Sequence, residues 1–237
     1  MRLTARGWTR LAALAGALIV ALALHGTWRL VRARSPWPRR FLGWVARIVG
    51  ARVRVVGTPL TRDAVLLANH VTWIDIPALA GATGAAFVAK AELRDAPVVG
   101  WLCTLNRTLF VKRGDRMGVD AQVAALRAQL GGAQPVAIFP EGTTGDGVTL
   151  LPFKAGLLAA LAPPPPDVRV QPVRIDYGAA TPDVAWVGAE DGARHARRVL
   201  NRRGTFAVTL HFLTPFVPEG DRKAIAAAAR ARIAEAA

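Results

Sequence analysis

Short runs of apolar residues alternate with longer, partly polar segments over most of this 237-residue chain. Runs rich in valine, isoleucine, leucine and alanine predict buried β-strands, and the segments between them have the length and composition of helices. The predicted strands are Val53–Val56, Ala64–Ala68, Ala86–Ala89, Leu109–Val111, Val136–Phe139, Val168–Ile175 and Ala207–Phe212. The predicted helices are Ile76–Leu79, Pro97–Leu105, Met117–Leu130 and Phe153–Leu161. This alternation indicates an α/β fold with a largely parallel sheet flanked by helices.

The pattern before residue 50 is different. Leu11–Leu24 is wholly apolar or glycine, and no charge occurs between Arg10 and Arg29. About 20 mostly apolar residues suffice to span a bilayer. The next segment, Trp37–Val49, mixes apolar residues with arginines, which is typical of an amphipathic helix on a membrane surface. The sequence therefore predicts three parts: an N-terminal membrane-anchoring helical segment, an α/β domain and a solvated helical tail, at residues 1–50, 51–220 and 221–237.

Charge follows the same division. The formal net charge is +15, yet twelve of the 31 basic residues precede Asp63, which is the first acidic residue. The more strongly basic flank of the apolar run lies on its C-terminal side, so the positive-inside rule predicts a bacterial inner-membrane protein whose body faces the cytoplasm. A signal peptide cleaved after Ala21-Leu22-Ala23 is an alternative, but the arginines downstream oppose export. Nucleic-acid binding is another, but these arginines flank a membrane-length apolar run, so we expect no nucleic-acid partner.

The candidate chemistry begins with His70 and Asp75, directly after the strand Ala64–Ala68. An imidazole can take a proton from a hydroxyl near neutral pH, and a carboxylate on its other nitrogen fixes the tautomer. A spacing of five does not place two residues on one helical face, so the pair meets only if His70 lies in a loop and Asp75 begins a helix. On spacing alone, an ordinary hydrogen-bonded histidine and a helix-capping aspartate are slightly favoured.

Other residues add to or limit this picture. Arg113 and Glu141 also follow predicted strands, and in parallel sheets such positions share one crevice with His70. We expect Cys103 to be a core residue rather than an acyl-enzyme nucleophile, His195 to be exposed and His211 to lie in a strand. The sequence has neither a Gly-x-Ser-x-Gly elbow nor a Walker A loop, so neither a serine hydrolase nor a P-loop nucleotide site is supported.

Four blocks occur in order along the chain: Asn69-His70-x4-Asp75, Phe110-Val111-Lys112-Arg113, Phe139-Pro140-Glu141-Gly142-Thr143 and Val170-Gln171-Pro172-Val173. From about Trp44 to about Tyr177 the chain resembles the glycerolipid (lysophospholipid) acyltransferase family, which includes 1-acyl-glycerol-3-phosphate acyltransferases. The resemblance implies transfer of a fatty acyl group from an acyl carrier protein or coenzyme A thioester to a lysolipid hydroxyl. It implies His70 as general base, Asp75 as its partner, and neither a metal nor a redox cofactor.

The resemblance also implies residues that bind the acceptor lipid: Phe110, Arg113, Glu141, Gly142, Thr143 and Pro172. Glu141 would contact an acceptor hydroxyl or hold its loop. Two positions depart from the family pattern, since Arg107 stands where glycine is usual and Thr144 where arginine is usual. Either a lysine compensates for the lost guanidinium, or the acceptor head is not a glycerol phosphate. The candidate lysines are Lys90, Lys112 and Lys154.

The sequence around this third block bears on the identity of the acceptor. The run from Phe139 to Gly147, followed by Leu-Pro-Phe-Lys, resembles the branch that acylates lyso-ornithine lipid, which is phosphate-free. Lyso-ornithine lipid is thus the preferred acceptor, and lysophosphatidate is the alternative. An alternative of another class is a non-catalytic membrane protein that binds anionic lipids through its basic arm.

Overall fold

The computed structural model describes residues 2–30, 35–112, 118–132 and 134–236. Within them are seven strands: β1 (Ala51–Val56), β2 (Ala64–Ala68), β3 (Ala86–Lys90), β4 (Leu109–Val111), β5 (Val136–Ile138), β6 (Arg169–Asp176) and β7 (Phe206–Phe212). The α-helices are α1 (Ala5–Leu30), α2 (Trp37–Ile48), α3 (Asp75–Thr83), α4 (Pro97–Leu105), α5 (Val119–Leu130), α6 (Thr181–Val184), α7 (Gly192–Asn201) and α8 (Arg222–Glu235). Short 3-10 helices occupy Ala91–Asp95, Gly156–Leu161 and Gly178–Ala180.

The strands form one sheet in the order β1-β7-β6-β2-β5-β3-β4. Every neighbouring pair is parallel except β6 and β7, which are antiparallel. The predicted α/β fold with a largely parallel sheet is therefore confirmed. Because β2, β5 and β6 are adjacent and point the same way, the residues that follow them meet at one edge of the sheet.

Helices cover both faces of the sheet, and each face has its own core. All five residues of β2 are buried, and its side chains alternate between the cores, with Leu66 in one and Leu67 in the other. A strand covered on both faces reads as a continuous apolar run, which explains why β2 is clear in the sequence. The core containing Leu66 also holds α3 residues such as Leu79, and the core containing Leu67 holds α5 residues such as Leu126.

The C-terminal helix corrects one expectation. Four residues of α8 are buried, namely Ile225, Ala226, Ala229 and Ile233. They recur with helical spacing, and the small alanines let α8 pack closely against the rest of the domain. The prediction that this helix is a solvated tail is therefore wrong, whereas the division of the chain into three parts stays a prediction.

Several helix boundaries also differ from expectation. The helix expected over Phe153–Leu161 is a 3-10 helix over Gly156–Leu161 only, and the one expected at Ile76–Leu79 extends over Asp75–Thr83. Met117 lies outside the described residues, and α5 begins at Val119. The sequence pattern does not predict helix α7, whose three arginines interrupt the apolar positions. A local signal was present, since Asp191 caps α7 by accepting hydrogen bonds from the amides of Ala193 and Arg194.

Helices α1 and α2 form a hairpin attached to the body. At its start, Arg10 donates hydrogen bonds to the carbonyls of Val199, Leu200, Arg202 and Gly204, which lie at and just beyond the end of α7. Helix α2 approaches α3 so closely that a Cβ built on Gly81 would lie 2.7 Å from the Cα of Gly43. Helix α1 is long and apolar enough to cross a membrane.

Candidate active site

His70 and Asp75 meet where the chain leaves β2. The Nδ1 atom of His70 lies 2.7 Å from Oδ2 of Asp75. His70 occupies the loop after the strand, and Asp75 is the first residue of α3. The Asp75 side chain is fully buried, whereas that of His70 is 17% exposed. The pair therefore runs from the protein interior to an accessible imidazole.

The hydrogen bonds of Asp75 exclude simple helix capping. Its Oδ2 accepts from the backbone amides of Val71, at 2.7 Å, and Thr72, at 3.0 Å. Both amides precede α3, so the carboxylate turns back onto the loop that carries His70. A carboxylate bonded to Nδ1 makes that nitrogen the donor, which leaves Nε2 of His70 as the acceptor.

Tyr177 completes the surroundings of Asp75, and sequence reasoning missed it. Its hydroxyl donates to Oδ1 of Asp75 at 2.6 Å. Burial, together with the neighbouring Asp75 charge, raises the pKa of the Tyr177 phenol well above its ordinary value, so the hydroxyl keeps its proton. A signal was available, since Tyr177 is the only tyrosine in the chain and lies four residues after the fourth block.

The ring and backbone of His70 are also fixed. The imidazole stacks on Phe139, with ring centroids 4.0 Å apart and planes 12° from parallel. The His70 amide donates to Oε1 of Glu141 at 2.8 Å, and the His70 carbonyl accepts from the Gly145 amide at 2.7 Å. The loop after β5 therefore holds the loop after β2.

Glu141 is 3% exposed, and its other oxygen, Oε2, accepts from the amide of Leu151 at 3.2 Å. Burial raises the pKa of the Glu141 carboxyl group, and its hydrogen bonds with His70 and Leu151 partly oppose that effect. Both oxygens thus have backbone donors already. Of the two roles expected from the sequence, these contacts favour holding the loop over binding an acceptor hydroxyl.

The rest of the third block shapes the same loop. Gly142 has φ +72°, a backbone conformation that favours glycine, and a Cβ at this position would lie 2.9 Å from Nζ at the end of the flexible Lys154 side chain. Thr143 is exposed. Thr144, which replaces the usual arginine, uses its hydroxyl to bond the carbonyl of Trp186 at 2.5 Å.

A cleft opens beside the imidazole, and we call it the His70 cleft. It is lined by Asn69, His70, Val71, Glu141, Gly145, Gly147, Val148, Thr149, Leu150 and Arg174. Arg174 was not among the expected site residues, because it belongs to β6 and only the sheet order brings it here. Asn69 joins the two strands, since its side-chain amide donates to the carbonyl of Ile175 and accepts from its amide.

Several expected acceptor contacts do not line the His70 cleft. Phe110 lies on β4, at the far edge of the sheet, with the Arg94 guanidinium 4.8 Å from its ring centroid. Pro172 is buried in β6 opposite Leu67. Lys90, Lys112, Lys154 and Thr143 are exposed outside the cleft lining. Arg113 lies outside the described residues. The acceptor roles of all these residues stay predictions.

Three other expectations concern single residues. Cys103 is half-buried on α4 rather than in the core, and burial raises the pKa of its thiol. The expectation that His195 is exposed is wrong, because it is fully buried, stacks on Trp186 and bonds the carbonyl of Val184 through Nε2. His211 lies in β7, as expected. Arg107 has φ +58°, a backbone conformation that favours the glycine usual at this position.

Among the residues that the structure describes, no group of three or more His, Cys, Asp and Glu side chains is placed to hold a metal ion. The absence of a metal or redox cofactor stays a prediction from the resemblance.

Comparisons with known proteins agree with this geometry. The Acyltransferase family model matches residues 52–176, which is more than half of the chain. The lyso-ornithine lipid O-acyltransferase of Brucella abortus (strain 2308) is 35% identical over 89% of this chain and 87% of its own length. The enzyme of the same name from Rhodobacter capsulatus is 32% identical over 98% and 88%. The crystal structure of the 1-acyl-sn-glycerophosphate acyltransferase of Thermotoga maritima superposes with a TM-score of 0.61, at 24% identity over 98% of this chain and 97% of that one.

These findings decide between the functional classes considered above. The family and the named relatives exclude a merely lipid-binding role, and the substrates are lipids. Helix α1, which is long and apolar enough to cross a bilayer, together with the lipid substrates indicates association with a membrane. The chain therefore belongs to the glycerolipid acyltransferase family and is an enzyme that transfers acyl groups to lysolipids.

Proposed function

We propose that this enzyme esterifies the free hydroxyl of a lyso-ornithine lipid with a fatty acyl group taken from an acyl carrier protein or coenzyme A thioester, and that His70 and Asp75 form the catalytic dyad. The observation that carries the dyad is the 2.7 Å contact between His70 Nδ1 and Asp75 Oδ2, with the imidazole lining a small cleft. The acceptor follows from the names of the two relatives that match most of the chain.

In this mechanism, Nε2 of His70 takes the proton of the lipid hydroxyl while that oxygen attacks the thioester carbonyl carbon. The carbonyl oxygen gains negative charge in the tetrahedral intermediate. The carbon–sulfur bond then breaks, and the imidazolium returns its proton to the departing thiolate. The products are an ester and a free thiol, so atoms and electrons balance without a metal or a redox cofactor.

Asp75 supports each proton transfer as a hydrogen-bond acceptor and does not itself take up a proton. Three donors besides His70 converge on its carboxylate, from Val71, Thr72 and Tyr177. These contacts hold Asp75 as an acceptor, so that Nδ1 of His70 keeps its proton and Nε2 presents a lone pair to the cleft. A fixed negative charge beside the ring also stabilises the imidazolium that forms during attack.

The acceptor is tested with purified enzyme, one acyl thioester donor and two lysolipids offered in turn. We expect acylated product by mass spectrometry from lyso-ornithine lipid, with a kcat/KM well above that for lysophosphatidate. The same assay compares the acyl thioesters of acyl carrier protein and of coenzyme A as donors. Acylation of lysophosphatidate alone would overturn the proposed acceptor and leave 1-acyl-sn-glycerol-3-phosphate acyltransferase activity in its place.

We also propose a location on the cytoplasmic face of a bacterial inner membrane, with the α1–α2 hairpin entering one leaflet. Both ends of the hairpin lie at the body, because a Cβ on Gly50 would lie 2.9 Å from a terminal nitrogen of Arg10. If α1 spanned the bilayer, α2 would have to cross back. With 12 residues, α2 is about 18 Å long, whereas the hydrocarbon core is about 30 Å thick. It also carries Arg39, Arg40 and Arg47.

The hairpin orientation is tested by placing a single cysteine at Leu30, which is 83% exposed at the end of α1, in a Cys103→Ala background. A membrane-impermeant maleimide should leave this cysteine unlabelled in intact spheroplasts and label it after detergent dissolves the membrane. Labelling in intact spheroplasts would show that α1 spans the membrane and would contradict the single-leaflet arrangement.

A further inference from the structure

Arg174 is the one lysine or arginine among the described residues that line the His70 cleft. It lies near the carboxyl end of β6, beside the strand that leads to His70. Its backbone position is secured on one side by the two hydrogen bonds between Asn69 and Ile175, and on the other by the pairing of Arg174 with His211 of β7. The backbone that carries this cation is therefore held at a fixed place beside the candidate base.

Within the described part of the chain, the Arg174 side chain has neither a hydrogen bond nor an ion pair, although the residue is half-buried. Other arginines in the same fold are engaged. Arg230 donates to the carbonyls of Leu150 and Leu151, beneath the loop that lines the cleft, and Arg198 pairs with Glu190. No nitrogen of Arg174 is among the buried unpaired polar atoms of the described residues, so its five N–H donors keep contact with solvent and are available to a ligand.

The position where the family usually has an arginine does not supply this charge. Thr144 stands there, and its hydroxyl is occupied by the carbonyl of Trp186. Glu141, the acidic residue of the cleft, is occupied by backbone amides and forms no ion pair with Arg174. The cleft thus keeps one cationic side chain without an ion-pair partner, contributed by β6 instead of by the loop after β5.

We propose that Arg174 binds the anionic group of the acceptor headgroup and so helps to select the acceptor. The planar guanidinium fork matches the two oxygens of a carboxylate or of a phosphate. In lyso-ornithine lipid that group is the ornithine carboxylate, which lies only a few bonds from the hydroxyl that is acylated. The choice of carboxylate rests on the proposed acceptor, whereas the role of Arg174 as an anion site applies to either lysolipid.

The test compares wild-type enzyme, Arg174→Gln and Arg174→Lys with lyso-ornithine lipid as acceptor. We expect Arg174→Gln to raise the acceptor KM about 10- to 100-fold, which is the scale of a charge-assisted hydrogen bond, with kcat and the donor KM nearly unchanged. Arg174→Lys should recover part of the loss, because it restores the charge without the fork. Arg169→Gln is the matched control, since Arg169 is an exposed arginine at the opposite end of the same strand.

A second acceptor shows whether Arg174 binds the carboxylate or only supports the fold. The methyl ester of lyso-ornithine lipid lacks the carboxylate charge, so wild-type enzyme should use it with a raised KM, and Arg174→Gln should raise that KM little further. Equal losses with the acid and the methyl ester would overturn the proposal. If wild-type enzyme acylates lysophosphatidate instead, the proposed acceptor fails. The Arg174 proposal then stands only if Arg174→Gln raises the KM for lysophosphatidate by a similar factor, and an unchanged KM overturns it.

Discussion

Replacing His70 with alanine is expected to lower kcat for acyl transfer by about 10²- to 10⁴-fold, which is the usual contribution of a general base. The physical reason is that a lipid alcohol is a weak nucleophile until a positioned base accepts its proton during attack. Among the residues that the structure describes, the imidazole of His70 joins the cleft to the buried carboxylate of Asp75. The measurement is the initial rate of ester formation at saturating donor and acceptor.

The same variant should remain folded. The His70 side chain is partly exposed, and its removal deprives Asp75 of one donor among four. The thermal unfolding midpoint and membrane association should therefore stay close to those of the wild type. A folded His70→Ala enzyme that retains more than about a tenth of wild-type kcat would contradict the role of His70 as general base.

His195 offers a matched control, because it is a histidine outside the cleft. It is fully buried, and burial lowers the pKa of its imidazole. His195→Gln should thus lower the unfolding midpoint while the folded fraction keeps its kcat. The variant at position 70 should lose activity and stay folded, whereas the variant at position 195 should lose stability and keep its intrinsic activity. These opposite results distinguish a catalytic histidine from a structural one.

The sequence predicts well those site residues that directly follow a clearly apolar strand. The wholly apolar β2 identifies a buried strand, and the residues that follow such strands in a parallel sheet share one edge. This logic places His70, Arg113 and Glu141 at one edge before any coordinates are known, and of these Arg113 lies outside the described residues. The contact between the His70 amide and Glu141 is the structural expression of that expectation.

Tyr177 and Arg174 show where the same logic stops. Both come from the end of β6, about a hundred residues after His70, and they reach the site only because β6 pairs directly with β2. Strand order depends on how distant parts of the chain pack together, which no local pattern encodes. The burial of α8 was missed for a different reason, since a stripe made partly of alanines gives little contrast between its buried and exposed faces.

Replacing Asp75 with alanine should reduce stability as well as activity, unlike the change at His70. The substitution leaves the Val71 amide, the Thr72 amide and the Tyr177 hydroxyl facing a cavity in a fully buried place. Removing one partner from a buried charged network costs roughly 3–5 kcal/mol of unfolding free energy. Chemical denaturation measures that loss, and kcat of the remaining folded enzyme should also fall, because the His70 tautomer is no longer fixed.

Two milder variants separate the effects. Asp75→Asn keeps the shape but sets an amide among donors, so we expect kcat to fall about 10²- to 10⁴-fold with a smaller loss of stability. Tyr177→Phe removes only the donor to Oδ1 and should cost about 1–3 kcal/mol, with a modest fall in kcat. If Asp75→Asn retained wild-type kcat, the carboxylate would be structural, and His70 would act without a partner.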